Sequence, residues 1–313
     1  MSRPWTVWRA RRRLAGLFKR QEFDAVICHS VWPQVVFGPV VQSANLPLLF
    51  WLHDAVTGDH WLERWAKRTR PDWVVCNSRF TAGRLPSLYR GVRARVIYCP
   101  VADSPLPSSA ERRLAVRAEL ETPPDAAVII QVSRLERWKG HRLHLDALGR
   151  LRDLPGWVCW LVGGAQRAHE ERYLEELKMT AAQLKIADRV RFLGQRSDVP
   201  RLLAAADIHC QPNTGPEPFG IAFIEGLLAG LPVVTTAIGG AREIVDDTCG
   251  ILVPPHDPSA LAATLRRLIR DASLRTRLGA AGPGRARSLC DPQRQMASLR
   301  DLLYRAASRD CAA

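Results

Sequence analysis

Short apolar runs alternate, from about residue 125 onward, with segments in which apolar side chains recur every three or four positions. Apolar runs of this kind are typical of strands buried on both faces of a parallel sheet, and the longer period is typical of helices. The pattern predicts a doubly wound α/β domain, whose ligands bind beyond the carboxyl ends of the strands. The predicted strands are 126–132, 157–162, 190–193, 208–210, 233–235 and 250–253, and the predicted helices are 141–151, 170–185, 199–205, 221–229 and 259–270.

The first part of the chain contains similar but sparser units. After its third apolar run, a helix is expected to begin with Asn77 or Ser78 as the N-cap, because short polar side chains accept hydrogen bonds from the first free N–H groups of a helix. The fold class predicted for the whole chain is therefore α/β. The predicted strands of this part are 24–28, 47–52, 73–76 and 94–98.

The domain boundary is predicted from composition. Residues 105–109 and 121–125 bracket the expected linker between two domains. At 313 residues the chain is long enough for two domains of ordinary size. We assign 1–112 to a first domain, 113–291 to a second, and 292–313 to a final helix.

The chain carries a formal net charge of +14, and its densest basic cluster lies near the N-terminus. Leu14, Leu17 and Phe18 form the apolar stripe of that segment, with Trp5 and Trp8 ahead of it. A basic amphipathic helix with tryptophans can lie on an anionic membrane surface, whereas an ordinary surface helix packed on its own sheet would show a similar pattern. No nucleic-acid-binding motif accompanies the charge, so no nucleic-acid partner is expected. The basic residues of this cluster are Arg9, Arg11, Arg12, Arg13, Lys19 and Arg20.

The eight cysteines are scattered without a Cys-x-x-Cys pair, which argues against a disulfide or zinc framework and favours a reducing cytosol. No apolar run approaches the roughly 20 residues that span a bilayer. The expected location is therefore cytoplasmic, or peripheral at the inner face of the membrane. No Asp-x-Asp motif and no His/Asp cluster is present, so neither a metal nor another cofactor is expected.

The most informative segment reads Glu-Pro-Phe-Gly-Ile-Ala-Phe-Ile-Glu, from Glu217 to Glu225. Its Pro-Phe-Gly turn predicts the start of a short apolar helix, with Pro218 in the first turn. Eight helical steps advance about 12 Å and a little over two turns, so both carboxylates are expected on one side. The free N–H groups at a helix start favour an anion. This layout suits a ligand with a central diphosphate and a sugar at each end.

Solvated helix charges are the alternative explanation for two glutamates at this spacing. The neighbouring side chains of Phe223, Ile224 and Leu227 are those of a buried helix, however. Charges on a buried helix need a partner or a ligand, because desolvating a lone charge is costly.

The segment resembles the Glu-x7-Glu motif of family 4 (group 1) glycosyltransferases, which are retaining enzymes of the GT-B fold that use nucleotide-sugar donors. Residues 132–140 resemble the phosphate-binding turn of that family, and several later stretches resemble strand ends and loops of its donor domain. The resemblance implies two Rossmann-like domains facing a cleft, the acceptor side first, with the final helix crossing back toward the first domain. The later stretches are 161–164, 192–194, 238–245 and 250–255.

The first domain matches the family only partly. The acceptor domain of the family opens with a strand and a Gly-rich loop before a helix like 8–20, and neither is visible here. The resemblance therefore predicts a first domain that is shortened by one or more βα units.

On the phosphate side, the resemblance places Arg134 and Lys139 on the diphosphate, in one turn with Ser133 and with Gly140 at the next helix. Two fixed cations can stabilise the charge of a departing diphosphate without a metal. In an Arg-rich chain they could equally be surface cations, and their place at the end of a predicted strand favours the binding role. Glu225 would hold the ribose hydroxyls.

On the sugar side, Glu217 would contact the donor sugar as a catalytic residue. The base would lie near Gly194 and Gln195, beside Arg196. Backbone N–H groups for the sugar or the phosphates would come from Phe219, Gly220 and Ile221.

His53 follows a predicted strand and resembles the acceptor-side histidine of the family, which would contact the donor sugar or steer the acceptor hydroxyl. His29 occupies a similar place after the preceding strand. A single histidine at a strand end also occurs for structural reasons, so both interpretations stay open at this point.

The function expected from these residues is retaining transfer of a hexose from a nucleotide-diphosphate sugar to an acceptor hydroxyl of a glycan, a lipid or a small molecule. One alternative is a non-catalytic nucleotide-sugar-binding remnant. Another is a GT-B nucleotide-sugar epimerase, with His53 and Glu217 as its acid/base pair. The sequence leaves UDP, GDP and ADP open as the nucleotide.

Overall fold

The computed structural model of the protein describes residues 4–102 and 109–308. The chain forms two compact units, of which the first comprises Met1–Pro100 and Pro292–Ala313 and the second Val101–Asp291. The first unit thus ends at Pro100, whereas the composition placed the boundary at 112.

The first unit is built on a parallel sheet whose described strands lie side by side in chain order. Apolar runs make these strands, and in β2 every residue is buried. As expected, Ser78 caps a helix, where its side chain accepts a hydrogen bond from Thr81 N and forms a capping box. The strands are Val26–His29 (β1), Leu48–Leu52 (β2), Trp73–Cys76 (β3) and Arg93–Val96 (β4), and the helices are Pro4–Phe18 (α1), Val31–Ser43 (α2), Trp61–Ala66 (α3) and Arg79–Arg84 (α4).

The second unit confirms the predicted doubly wound domain, and each predicted strand lies within one residue of its observed bounds. Apolar side chains cover both faces of the sheet. Its strands are Ala127–Val132 (β5), Trp157–Val162 (β6), Val190–Gly194 (β7), Ile208–Gln211 (β8), Val233–Thr236 (β9) and Gly250–Val253 (β10). Its helices are Ala110–Glu119 (α5), His141–Gly149 (α6), Ala168–Gln183 (α7), Val199–Ala205 (α8), Ile221–Leu228 (α9), Ala241–Ile244 (α10), Pro258–Arg270 (α11) and Ala272–Cys290 (α12).

The strand order of this sheet places a topological switch point at its centre. The order is β10-β9-β8-β5-β6-β7, so the chain leaves β5 toward β6 and returns on the other side of β5 with β8. The loops after β5 and β8 therefore diverge from neighbouring strand ends, which is where open α/β sheets bind their ligands.

The predicted linker is partly wrong. Residues 105–108 lie outside the described residues, but α5 occupies most of the remaining stretch. Arg117 anchors this helix: its buried guanidinium lies 2.6 Å from the carboxylate of Asp207 and donates to the carbonyl oxygens of Pro124 and Ala126, each at 2.8 Å. The ion pair ties α5 to the second unit, so a helix stands where composition indicated a loop.

The predicted helix 221–229 is confirmed as α9, but the expected place of Pro218 in its first turn is wrong, because α9 begins at Ile221. Gly220 precedes it with φ 109°, a backbone conformation that interrupts a right-handed helical path and that other residues rarely adopt. Glu217 therefore lies in the loop before α9, whereas Glu225 lies on the helix itself. The two carboxylates do not share one helical face.

The final helix, Pro292–Ala307 (α13), packs on the sheet of the first unit. Leu299 and Leu302 are buried there against Leu49 and Val75. In the described part of the chain, none of the helices is both long and apolar enough to cross a membrane.

Candidate functional site

Lys139 and Glu217 meet at the switch point of the second sheet. Lys139 lies in the loop after β5 and Glu217 in the loop after β8, and the Lys139 Nζ atom is 2.5 Å from Glu217 Oε2. The two side chains are only 12% and 11% exposed. Asn213 Nδ2 donates to the same carboxylate oxygen at 3.1 Å, and the Lys139 ammonium lies 4.0 Å from the centroid of the Trp138 ring.

The loop after β9 fixes the backbone of Glu217. Gly240 N donates to the Glu217 carbonyl oxygen at 2.7 Å. A Cβ atom on Gly239, where φ is 65°, would overlap the Glu217 backbone, and one on Gly240 would lie 2.7 Å from the Pro218 carbonyl oxygen. Both positions need glycine because the two loops touch through their backbones.

Gly140 holds the Lys139 turn against the loop after β8. Its φ is 76°, and a Cβ atom there would overlap the carbonyl group of Pro212. Thr214 N donates to the Trp138 carbonyl oxygen at 2.8 Å, which joins the same two loops a second time. The position of the ammonium is thus set by backbone contacts rather than by the lysine side chain alone.

A network of buried polar side chains packs against the turn that contains Lys139 and Gly140. Gln131 Nε2 donates to the Lys139 carbonyl oxygen at 2.9 Å, and Ser133 Oγ lies 3.0 Å from His141 Nε2. His144 Nδ1 lies 2.8 Å from Gln131 Oε1. Burial lowers the pKa of His141 to about 4, with the charge of Lys139 as a further cause, and burial lowers the pKa of His144 to about 3. Both rings are therefore neutral at pH 7, so neither adds a charge beside Lys139.

Arg134 lies in the loop after β5 and lines a pocket there, whereas Glu225 lies on α9. The Arg134 side chain is 74% exposed and is 2.9 Å from Glu136. Glu225 is half-buried on α9, and among residues 4–102 and 109–308 its carboxylate has no hydrogen-bond partner. Burial raises the pKa of Glu225, because the ionised carboxylate is less well hydrated there. Of the predicted N–H donors, Phe219 is buried and Ile221 is exposed at the start of α9.

A pocket of about 280 Å³ opens at the carboxyl ends of β5, β6 and β7. It brings Ser133 and Arg134 of the predicted phosphate turn together with Gln195 of the predicted base loop. Gly194 turns the chain there with φ 66°. Arg196 also lines the pocket, but its guanidinium is engaged by Asp198, at 2.8 Å.

His53 lies in the first unit, at the carboxyl end of β2, and contacts His29 at the end of β1. His29 Nδ1 and His53 Nε2 are 3.1 Å apart. Burial lowers the pKa of His53, the neighbouring His29 lowers it further, and Asp54 acts in the opposite direction. His53 is thus a neutral imidazole at pH 7.

The second unit therefore places Ser133, Lys139, Gly140 and Glu217 together, which the sequence predicted as one site. Sequence reasoning missed the polar residues that hold them. Asn213 lies two residues after the end of β8, and Gln131 interrupts the apolar run of β5, so polar residues at such places were the available signal. His141 and His144 could not be separated from ordinary helix residues.

Groups of three or more His, Cys, Asp or Glu side chains that could hold a metal ion are absent from the described ranges.

Two family models match the chain. The model described as glycosyl transferases group 1 matches residues 113–285, which is more than half of the chain, and the model described as Glycosyltransferase Family 4 matches residues 1–104.

Among curated relatives, the lipopolysaccharide core biosynthesis glycosyltransferase LpsE of Rhizobium meliloti is 32% identical over 212 residues, which are 67% of this chain and 58% of that protein. A D-inositol 3-phosphate glycosyltransferase of Salinispora tropica is 34% identical over 234 residues, 69% of this chain and 48% of that protein. The chain thus spans about half the length of the curated relatives that it matches.

Among solved structures, Anabaena HepE in complex with UDP and glucose superposes with a TM-score of 0.85 at 28% identity, over 95% of this chain and 81% of that one. The sucrose-phosphate synthase of Thermosynechococcus elongatus superposes with a TM-score of 0.84 at 25% identity, over 96% and 79% of the two chains.

Proposed function

Because the chain belongs to the group 1 glycosyl transferases and has the GT-B fold, we propose that it is a retaining enzyme that moves a hexose from a nucleotide-diphosphate sugar to an acceptor hydroxyl. The Lys139–Glu217 pair at the switch point is the observation that carries the proposal. In this proposal the ammonium of Lys139 binds a phosphate, and the neighbouring carboxylate of Glu217 accepts hydrogen bonds from sugar hydroxyls. The UDP and glucose held by HepE support a uridine diphosphate donor.

The chemistry required of the site is stabilisation of a leaving diphosphate. Negative charge builds on the phosphate as the bond to the sugar breaks, and a fixed ammonium in a poorly hydrated site stabilises that charge. Lys139 supplies the ammonium, and the exposed Arg134 can turn toward the outer phosphate. The free N–H groups at the start of α9 add further donors. These groups are sufficient for the leaving step, so we expect transfer to proceed without a divalent metal.

The nucleoside is assigned to the pocket beside this turn. Ser133, Arg134 and Gln195 line a space that a base can enter. The unpartnered carboxylate of Glu225 suits the two adjacent ribose hydroxyls, because a carboxylate accepts two hydrogen bonds at once. Binding them would satisfy a half-buried charge.

The acceptor side is assigned to the first unit. By its resemblance to the acceptor-side histidine of the family, His53 would contact the donor sugar or the acceptor hydroxyl, and the departing phosphate would take part in removing the hydroxyl proton. No protein nucleophile is then required.

We further propose that the first unit meets an anionic membrane surface. This unit contains 20 Lys and Arg against 8 Asp and Glu, whereas the second contains 25 against 23. On α1 the exposed rings of Trp5 and Trp8 stack at 4.6 Å, with the Arg12 guanidinium 4.7 Å from the Trp8 centroid. Arg11 reaches the other way, to the Val36 carbonyl oxygen at 2.7 Å, so α1 is docked on one side and presents tryptophans on another.

Vesicle flotation tests this membrane proposal. We expect binding to vesicles that contain phosphatidylglycerol, weaker binding to phosphatidylcholine alone, and loss of binding in the Trp5→Ala/Trp8→Ala variant. Equal flotation of the variant and the parent would reject the α1 surface.

The transfer proposal is tested first by calorimetry with UDP-, GDP- and ADP-hexoses. We expect one nucleotide to bind and Lys139→Ala to weaken it tenfold or more, about 1.4 kcal/mol, the scale of one charge-assisted hydrogen bond. Lys178→Ala, at an exposed position on α7, is the matched control and should bind like the parent. Parental affinity in Lys139→Ala would reject the site.

Transfer itself is then followed with the donor that binds. Sugar transfer or slow hydrolysis with retained anomeric configuration, unaffected by EDTA, is the expected result. Binding with neither reaction would favour the non-catalytic alternative, and solvent proton exchange at the sugar ring would favour the epimerase.

A further inference from the structure

His29 and His53 form a hydrogen-bonded pair at the carboxyl ends of neighbouring strands. Besides the 3.1 Å contact of His29 Nδ1 with His53 Nε2, their rings are nearly parallel, with 13° between the planes and 5.4 Å between the centroids. Trp51 stacks against both rings, at 5.0 Å from His29 and 5.5 Å from His53. In the sheet, His29 is directly opposite Trp51, so the parallel pairing of β1 and β2 brings the two histidines side by side.

The backbone beside His29 is strained. Ser30 has φ 68° and ψ 168°, a region that glycine occupies and that is unfavourable for other residues. It is held there by the hydrogen bond from Ser30 N to the Trp51 carbonyl oxygen, at 2.9 Å, which extends the strand ladder past His29. Strain of this kind persists only where the surrounding structure imposes it, and it is found most often at functional sites.

We propose that His29 is a positioning residue for His53. Its hydrogen bond to Nε2 holds the imidazole of His53 and determines whether Nδ1, the nitrogen left for the substrates, carries a proton. A neutral imidazole carries one proton on one of its two nitrogens. Once Nε2 is committed to His29 as donor or as acceptor, Nδ1 has the opposite role. In the described structure Nδ1 of His53 has no hydrogen-bond partner, so it is the atom available for a hydroxyl or a phosphate oxygen.

The role rests on the proposed transfer reaction, in which His53 contacts the donor sugar or the acceptor. A free histidine ring samples both tautomers and several orientations, and only some of them can serve one reaction. The bond to His29 and the stacking on Trp51 fix the orientation of the ring before the substrates arrive, and the bond couples the tautomer of His53 to that of His29. Groups that orient another side chain in this way are often worth a tenfold to hundredfold change in rate, on the order of what outer partners of metal ligands contribute.

The direct test is the tautomer of His53, read from long-range ¹H–¹⁵N spectra of protein labelled on histidine and assigned with His53→Gln. We expect one tautomer in the parent and in His29→Asn, because the Asn side chain places a polar atom near the position of Nδ1. We expect a mixture in His29→Phe, which keeps a ring but no nitrogen. An unchanged His53 spectrum in His29→Phe would overturn the proposal.

Kinetics supply the second readout. His29→Phe should lower kcat by roughly tenfold or more, His29→Asn should recover part of that loss, and UDP affinity should stay at the parental value in both. His169→Phe, at an exposed histidine on α7, is the control for introducing the phenyl ring. A parental kcat in His29→Phe would overturn the role. If the parent itself transfers no sugar, the proposed function fails, and the tautomer spectra still decide whether His29 positions His53.

Discussion

Lys139 and Glu217 form an ion pair at the switch point, with 2.5 Å between Nζ and Oε2 and little of either side chain exposed. The two groups that the proposed reaction needs are thus already placed, at a cost in desolvation that their mutual attraction and the Asn213 hydrogen bond offset. A donor phosphate that reaches Lys139 must share the ammonium with Glu217 or displace it. Donor binding and the position of Glu217 are therefore coupled.

The first prediction concerns this pair. Lys139→Met and Glu217→Gln should each destabilise the fold by about 3 kcal/mol, because each change leaves one partner of a buried ion pair without the other. The double variant should lose clearly less than the sum. Urea unfolding of all four proteins measures the coupling, and strict additivity would mean that the pair contributes nothing.

The second prediction concerns Glu225. Since burial raises its pKa, the ionised form is disfavoured in the folded protein, and Glu225→Gln should raise the midpoint of thermal unfolding at pH 7. The same variant should bind UDP about tenfold more weakly, a loss of about 1.4 kcal/mol, because the ribose hydroxyls lose a charged acceptor. Glu171→Gln, at an exposed glutamate on α7, is the control. Weaker binding together with lower stability would show that Glu225 acts through the fold instead.

The third prediction separates backbone strain from steric overlap at two glycines with the same φ of 76°. Gly156→Ala, where the described structure has no atom within 4 Å of the added Cβ, should cost about 1 kcal/mol for the left-handed backbone alone. Gly140→Ala adds an overlap with the Pro212 carbonyl group and should cost several times more, with loss of UDP binding. Equal unfolding free energies would contradict the close approach of the two loops.

The fourth prediction is a loss of stability in acid from buried histidines. Burial lowers the pKa of His141 and His209 to about 4 and that of His144 to about 3, whereas an unfolded histidine titrates near 6.5. Above pH 6.5 these three histidines gain no proton in either the folded or the unfolded state. As the pH falls from 6.5 toward 4, they bind protons only in the unfolded chain. Each of them therefore lowers the free energy of unfolding by up to about 1.4 kcal/mol per pH unit.

His209→Leu isolates one of these groups. Both ring nitrogens of His209 are buried without a partner in the described structure, so the variant should be at least as stable as the parent at pH 7. Its stability should fall less steeply in acid. Denaturant unfolding between pH 7 and pH 4.5, with exposed His169→Leu as the control, measures the difference in slope, and parallel curves would count against the prediction.

The fifth prediction concerns the strain at Ser30. Ser30→Gly should stabilise the first unit by about 1 kcal/mol, because the relief of backbone strain exceeds the entropy that glycine adds to the unfolded chain. Chemical unfolding measures the change. Ser43→Gly, at the last residue of α2, is the opposite control and should be destabilising, because it also loses the hydrogen bond from Ser43 Oγ to the Pro39 carbonyl oxygen. A less stable Ser30→Gly protein would show that φ at this position is not strained.

The strands of both sheets and the donor-side residues could be predicted because they depend on local signals. Uninterrupted apolar runs define β5 and β6, and the turn from Ser133 to Gly140 follows one of them directly. The expectation of a shortened first domain depends on the family resemblance alone and stays a prediction.

The remaining features depend on contacts between distant parts of the chain. Pro218 suits a first helical turn by residue type, but the backbone of Gly220 keeps it in the loop before α9. Likewise, composition predicts a linker where α5 lies. The Arg117–Asp207 pair that anchors this helix joins residues 90 positions apart, and local sequence does not reveal such a contact. The His29–His53 contact needs the register of two strands, which neither segment specifies by itself.

Glu217 is held by two residues that touch no substrate in the proposed site. Gly239 and Gly240 admit its backbone because they have no side chains, so their tolerance to substitution is set by geometry at position 217. In a saturation scan for activity, positions 239 and 240 would score as intolerant as the glutamate itself. A natural or inhibitor-resistance variant at either glycine would thus act by displacing Glu217, although both glycines lie more than 20 positions from Glu217 in the sequence.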